Sequence, residues 1–250
     1  MDLLIVLLLA VLPLSGCDDT VNLKSQWRTR PITIDGSGAD WSETGQYLDE
    51  KSRVLISVMN DEDNIYVRLL LRSKESQMMF LRAGAITWID DAGGTRKKFG
   101  VQFPLAKQNH FMRGTMRDYK PRNSMQDLLE DSKQTLSILK SQEDCGQVPT
   151  IFMSEAAEMG VYVSLGMEAD YMIYELQVPC RASAGNKIVG IGFETGKTER
   201  PFSKERPAGG GEMTKGNGGP SRGGDGGIDS ERGRSESIEM WAMVQLAHMP

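Results

Sequence analysis

Residues 53–72, RVLISVMNDEDNIYVRLLLR, constrain the fold more than any other stretch, because two alternating apolar runs flank one polar turn. The first run begins at Val54 and the second at Ile65. A period of two places every second side chain on one face of a strand. Asn and Asp at 60–64 favour a tight turn. The stretch predicts a β-hairpin whose acids form a solvated loop, with a calcium site as the alternative.

Further alternating runs predict strands over 84–91, 150–154, 161–166, 171–179, 187–195 and 237–248, and Phe99, Val101 and Phe103 complete a second hairpin. In the run 187–195, Gly190 and Gly192 leave one side of the strand bare, which marks a close backbone approach or the floor of a groove. The pattern predicts a mainly β fold, an antiparallel β-sandwich of the immunoglobulin-like or jelly-roll-like type over residues 31–250.

Two segments of this domain read differently from strands. Apolar residues recur at helical spacing and predict one helix over about 123–141, covering an edge or end of the sandwich: Met125, Leu128, Leu129, Leu136 and Leu139. A glycine-rich segment over about 203–235 has few apolar residues and predicts a disordered loop insertion.

Composition limits the possible partners. The 250 residues are 39% hydrophobic and 25% charged, which suits an ordinary globular chain. The net charge is -5, and no run rich in Lys and Arg stands out. An extended nucleic-acid interface needs such a basic surface, so we expect no nucleic-acid binding.

The N-terminus carries a short apolar run, residues 3–14, which ends in Leu14-Ser15-Gly16-Cys17. The run is too short to span a bilayer. It resembles the lipobox of bacterial lipoprotein signals, although no Lys or Arg precedes it. The resemblance implies a signal peptide over 1–16, acylation of Cys17, and membrane anchoring in the cell envelope, facing the periplasm or the cell surface. An uncleaved anchor helix or a chance cysteine is the alternative.

Residues 17–30 are polar and lack periodicity, so they predict a lipidated tether between the membrane and the domain. Trp27 lies within this segment. A lone Trp there is expected to fix the tether to the domain rather than to bind a ligand.

Short motifs in a fixed order connect the chain to a known family. They are an isoleucine before Asp35-Gly36 with Asp40-Trp41 after a small spacer, then residues 60–67, 88–90 and 174–179, and a final strand that contains Trp241. This order resembles family-nine carbohydrate-binding modules and the related DOMON-like β-sandwiches. The resemblance implies carbohydrate binding and allows a structural calcium ion, for which no ligand residues can be assigned.

Cysteines and catalytic motifs complete the sequence-based expectations. Once Cys17 is acylated, Cys145 and Cys180 remain, and export favours a disulfide between them. The sequence lacks a nucleophile elbow, a metal-ligand cluster and a phosphate loop, so we expect no enzyme and no cofactor beyond that calcium. A haem site built from Met and His, as in some DOMON relatives, is a weaker alternative.

Exposed aromatic side chains are the residues that would bind a ligand, because sugar rings stack their C–H faces on indole. The candidates are Trp241, Trp88, Trp41, Phe111 and Tyr119. Trp41 is expected to be a core residue, and a core position between sheet and helix is the alternative for Trp241 and Trp88. The expected partner is a carbohydrate. The alternative is an envelope protein, with the chain acting as a structural or scaffold lipoprotein.

Overall fold

The computed structural model describes residues 20–41, 45–106, 125–144, 148–181, 187–196 and 237–250. The strands are β1 (Thr20–Lys24), β2 (Gln26–Trp27), β3 (Gln46–Asp49), β4 (Val54–Asn60), β5 (Asn64–Leu71), β6 (Ala85–Asp90), β7 (Phe99–Gln102), β8 (Thr135–Leu139), β9 (Ile151–Phe152), β10 (Tyr162–Glu168), β11 (Tyr171–Pro179), β12 (Ile188–Thr195) and β13 (Glu239–Gln245). The helices are α1 (Lys74–Ala83), α2 (Met125–Ser132) and α3 (Met153–Glu158), and a 3-10 turn spans Gln142–Asp144.

The strands form two sheets around one core. One sheet has seven strands in the order β1-β13-β12-β6-β7-β8-β9. The other has six, in the order β10-β11-β5-β4-β2, with β3 also paired to β4. Only two of these pairings are parallel, β1 with β13 and β2 with β4. The antiparallel β-sandwich predicted from the sequence is confirmed.

The predicted hairpin is present as β4 and β5, paired from Val54 with Leu71 to Asn60 with Ile65. Its aliphatic face is fully buried in the core between the sheets. In the turn, one carboxylate oxygen of Asp61 accepts the backbone N–H groups of Asp63 at 2.9 Å and Asn64 at 2.7 Å. Asp61 therefore fixes the turn geometry.

Aromatic rings fill the centre of the core. Phe80 of α1 stacks on Phe193 and meets Tyr174 edge to face, each at 5.6 Å between centroids. The Tyr174 hydroxyl lies 2.9 Å from the Thr87 hydroxyl, which joins β11 of one sheet to β6 of the other. Burial raises the pKa of Tyr174, so it stays a neutral hydrogen-bonding group.

The sequence predicted one helix, whereas the described residues form three. The predicted helix over 123–141 is correct only for α2, because Thr135–Leu139 forms strand β8 on the open edge of β7. The apolar residues of this short segment fit both the helical period and the strand period. The segment forms a strand because it pairs with the otherwise open edge of β7. The predicted strand over 150–154 ends after two residues and continues as α3. Helix α1 was not predicted. It is capped at its N-terminus by Ser73, whose hydroxyl accepts the N–H of Ser76.

The predicted tether is wrong for the described part of residues 17–30. β1 pairs with β13 along its whole length, and β2 pairs with β4 in the other sheet. The domain therefore includes the chain from Thr20 onward, and its boundary at residue 31 is corrected. The alternation of Val21 and Leu23 with polar residues is the signal for β1, and it is too short to distinguish an edge strand from a loop.

Ser25 marks the point where the chain crosses between the sheets. Its hydroxyl donates to the side-chain oxygen of buried Asn60 and accepts the backbone N–H of Ala247 at 2.8 Å. Asn60 in turn donates to the Ala247 carbonyl at 3.1 Å. These bonds, of which the one between Ser25 and Asn60 is buried, tie the N-terminal strands to both sheets.

We expect a chain that begins at Pro31 to be less stable than one that begins at Asp18. Its loss should be about 3 kcal/mol or more in free energy of unfolding, because several ladder and Ser25 hydrogen bonds disappear at about 1 kcal/mol each. Denaturant unfolding measures this. Equal midpoints and slopes for the two chains would contradict the assignment of β1 and β2 to the domain.

Candidate functional site

The outward face of the seven-stranded sheet carries two tryptophans opposite two glycines. Gly192 of β12 lies between Trp241 of β13 and Trp88 of β6, and Trp88 is paired on its other side with Gly100 of β7. The residues that alternate with these, such as Ile191, lie in the core. One row across the sheet thus places an indole beside each glycine.

Each indole lies over the glycine of a neighbouring strand. A Cβ atom on Gly192 would be 2.6 Å from the Cε2 and Cζ2 atoms of Trp241, and one on Gly100 would be 2.7 Å from the Cε3 and Cζ3 atoms of Trp88. Distances this short leave no room for a side chain. The glycines therefore let the rings rest on the sheet backbone, which confirms the expected close approach and leaves no open groove floor at Gly192.

The two indoles differ in exposure. Trp88 is 1% exposed, and its Nε1 donates to the Glu194 carboxylate at 2.9 Å. It offers no ring face to a ligand and instead holds Glu194 in place. Trp241 is half-buried and retains accessible surface. Of the two candidates on this sheet, Trp241 is the one that can contact a ligand.

Charged side chains lie beside Trp241. Glu194 and Glu239 are opposite each other on β12 and β13, and Lys97 bonds to Glu194 and lies 3.4 Å from the Glu239 carboxylate. Burial alone would lower the pKa of Lys97, but the two carboxylates outweigh it and raise that pKa. We call Trp241, Lys97, Glu194 and Glu239 the Trp241 face. The sequence predicted Trp241 as a ligand-binding residue with Glu239 on the same side of its strand, and it did not predict Lys97 or Glu194.

The loop that carries Lys97 is held by a buried carboxylate. Asp90 accepts the backbone N–H of Ala92 at 3.1 Å and of Arg96 at 3.0 Å, and the Arg96 guanidinium at 3.2 Å. Burial would raise the pKa of Asp90, but these hydrogen bonds overcome it and the pKa is lowered. The loop folds back so closely that a Cβ on Gly190 would lie 1.7 Å from the Gly94 carbonyl oxygen.

A cavity of about 450 Å³ opens beside this face, at the end of β12. Glu194 lines it together with Ile86, Gln102 and Thr195. Glu194 therefore belongs both to the Trp241 face and to the lining of this cavity.

Trp41 occupies a buried position on the outward face of the six-stranded sheet. Its Nε1 donates to one oxygen of the fully buried Glu175, and the backbone N–H groups of Asp35 and Gly36 donate to the other at 3.0 and 2.7 Å. The guanidinium of Arg68 lies 5.1 Å from the Trp41 ring. Burial raises the pKa of Glu175, although the three hydrogen bonds that the carboxylate accepts act to lower it. This cluster fastens the loop that contains the Asp-Gly and Asp-Trp motifs, as expected for a core tryptophan.

Several predicted residues lie outside the described part of the chain. They are Cys17, Phe111, Tyr119, Cys145 and the glycine-rich segment over about 203–235. Lipidation at Cys17 and the disulfide from Cys145 to Cys180 therefore stay predictions. Cys180 itself is half-buried against the core.

Within the described ranges, no group of three His, Cys, Asp or Glu side chains is placed to hold a metal ion. The described helices also include none that is long and apolar enough to cross a bilayer.

The fold and this face define a β-sandwich with a partly exposed indole on one outer surface. No protein-family model matches the chain, and no curated protein matches it. Among solved structures, it is similar to a family-nine carbohydrate-binding module from Caldicellulosiruptor kristjanssonii, solved in complex with glucose. That likeness covers 70% of this chain and 77% of the module, at 7% identity and a TM-score of 0.35.

We expect Gly192→Ala to displace the Trp241 indole, because the new methyl group would overlap rigid ring atoms. The free energy of unfolding should fall by about 1–3 kcal/mol, as for overpacked sites. In a Trp241→Ala background the same substitution should be nearly neutral. A double-mutant cycle by denaturant unfolding should give a coupling of at least about 1 kcal/mol. Additive effects would contradict the stacked geometry.

Proposed function

We propose that this chain is a non-catalytic binding module that holds a sugar ring against the exposed side of Trp241. The observation that carries the proposal is the indole supported by the backbone of Gly192, with charged groups beside it. A flat ring that is already fixed needs little ordering when a ligand stacks on it. The apolar C–H face of a pyranose matches such a ring.

The polar partners that a sugar requires are present on the same face. Glu194 accepts hydrogen bonds from Trp88 and Lys97, so its position is set before a ligand arrives. Glu239 has a side chain that is 59% exposed, and Lys97 is 16% exposed. Carboxylates accept from sugar hydroxyls and an ammonium group donates to them. This combination of one platform and a few fixed polar groups supports saccharide binding over docking of a flat apolar protein surface.

We expect Trp241→Ala to weaken saccharide binding by about fivefold or more, since losing a stacked ring removes on the order of 1 kcal/mol or more. Isothermal titration of the chain from residue 17 onward, with Cys17→Ser for solubility, measures this against glucose, galactose, N-acetylglucosamine and cello- and malto-oligosaccharides. This chain retains every residue that the structure describes.

Met243→Ala is the matched control, because Met243 lies two residues along β13 on the same outward side and is also half-buried. It should leave the affinity unchanged. Binding to none of the saccharides, or binding that a folded Trp241→Ala variant retains in full, would remove the site.

We also propose that the module is a lipoprotein anchored in the bacterial envelope through Cys17. The apolar run that ends in Leu14-Ser15-Gly16-Cys17 supports this. Only Asp18 and Asp19 separate Cys17 from the start of β1, so the anchor would lie within about 10 Å of Thr20 along the chain. Thr20 is paired with Trp241, and the Trp241 face would therefore lie near the membrane surface.

We expect Cys17→Ala to leave the protein unprocessed or soluble, because the thiol that carries the lipid is absent. The intact mass and the distribution between membrane and soluble fractions measure this. Ser15→Ala, which keeps the cysteine, is the control and should remain in the membrane fraction. An unchanged mature mass and unchanged fractionation for Cys17→Ala would contradict lipidation.

A further inference from the structure

A second cavity, of about 340 Å³, lies where the N-terminal strands end. It is lined by the run Gln26–Arg30, by Ile32 and Met59, and by Asp40. β1 runs away from Trp241 towards this cavity, so Gln26 lies about 20 Å further along the chain than Thr20, at about 3.3 Å per residue. The cavity is therefore separate from the Trp241 face.

The lining of this cavity has an apolar part. Trp27 and Ile32 are half-buried, and Met59 is 8% exposed. Trp27 is fixed by the pairing of β2 with the end of β4. A cavity of this size with an aromatic side chain suits one small ring.

Two cations line the same cavity, and they are held differently. Arg28 pairs with Asp61 at 2.8 Å and lies 5.3 Å from the centre of the Tyr66 ring, so its position is set by the fold. Arg30 is exposed, and among the described residues no side chain pairs with it.

Among the residues that the structure describes, Asp40 is the one carboxylate of the lining, and it already accepts the backbone N–H of Thr33 at 3.0 Å. Arg28 is already paired with Asp61, so Arg30 is the cation of the lining that is available to a charged ligand. The guanidinium group binds carboxylates in a two-pronged geometry that a neutral hydroxyl cannot match.

We propose that this cavity binds an acidic sugar unit, a pyranose ring that carries a carboxylate. The ring contacts Trp27, and the carboxylate binds Arg30 with Arg28 beside it. The chain would then have two saccharide sites of different charge preference, a face at Trp241 and a cavity at Trp27. This proposal does not depend on binding at Trp241.

Isothermal titration with sodium D-glucuronate, D-glucose, glucose 6-phosphate and inorganic phosphate tests the proposal, on the same chain from residue 17 onward. Glucuronate should bind at least about tenfold more tightly than glucose, and its affinity should fall with added salt. Arg30→Gln should remove about tenfold or more of that affinity, and Trp27→Phe should reduce it less.

Lys24→Gln is the matched control, because Lys24 is an exposed cation on β1 that does not line the cavity. It should leave glucuronate binding unchanged, and so should Trp241→Ala, which separates this site from the Trp241 face. The proposal would be overturned if glucuronate bound no more tightly than glucose, or if Arg30→Gln kept full affinity for glucuronate. Loss of glucuronate binding in Trp241→Ala would also overturn it. Phosphate alone binding as tightly as glucuronate would show a simple anion site and would also overturn it.

Discussion

The packing of indole rings on glycine backbones is the constraint on which the candidate site depends. Gly192 and Gly100 carry no Cβ, so Trp241 and Trp88 lie on the strands next to them. Trp88 then reaches Glu194 with its indole N–H, and Glu194 shares Lys97 with Glu239. Because these two glycines have no side chain, the two indoles can lie where they do. The indole of Trp88 in turn positions Glu194 and, through it, Lys97.

The N-terminal chain crosses from one sheet to the other between β1 and β2, and this crossing places the two candidate sites apart. Ser25, Asn60 and Ala247 form one hydrogen-bonded group, which joins the N-terminal strands to the segment after β13 and to the central hairpin. On one side of this group β1 reaches back to Trp241, and on the other β2 brings Trp27 to its cavity. A lipid on Cys17 would hold the Trp241 side towards the membrane and leave the Trp27 cavity further from it.

Local patterns were sufficient for strands with a clear alternating run, including β6, β11 and β12, which pair with strands about 100 residues away. The hairpin β4–β5 and the strands β6, β10, β11 and β12 follow from period-two alternation, because burial of one face imposes that period. β1 and β8 could not be predicted in this way. β1 is short and pairs with a strand more than 200 residues away. The apolar residues of β8 also fit a helical period, and only the pairing of β8 with β7 shows that it is a strand.

The roles of the tryptophans depend on contacts that sequence alone does not give. The residues next to Trp41, Trp88 and Trp241 in the sequence do not show how far each indole is buried. Only the fold shows that Glu175 and Glu194 take the indole N–H groups of the first two, while Trp241 keeps accessible surface. Trp27 was expected to fix a tether, and it lines a cavity because β2 belongs to the sandwich.

An NMR titration that follows the indole N–H signals of the four tryptophans tests the central claim most directly. With a neutral oligosaccharide that binds, the account predicts the largest shift at Trp241 and none at Trp41, whose N–H is held by buried Glu175. Saturable shifts confined to tryptophans other than Trp241, or no shift at any indole across the saccharide series, would contradict the account.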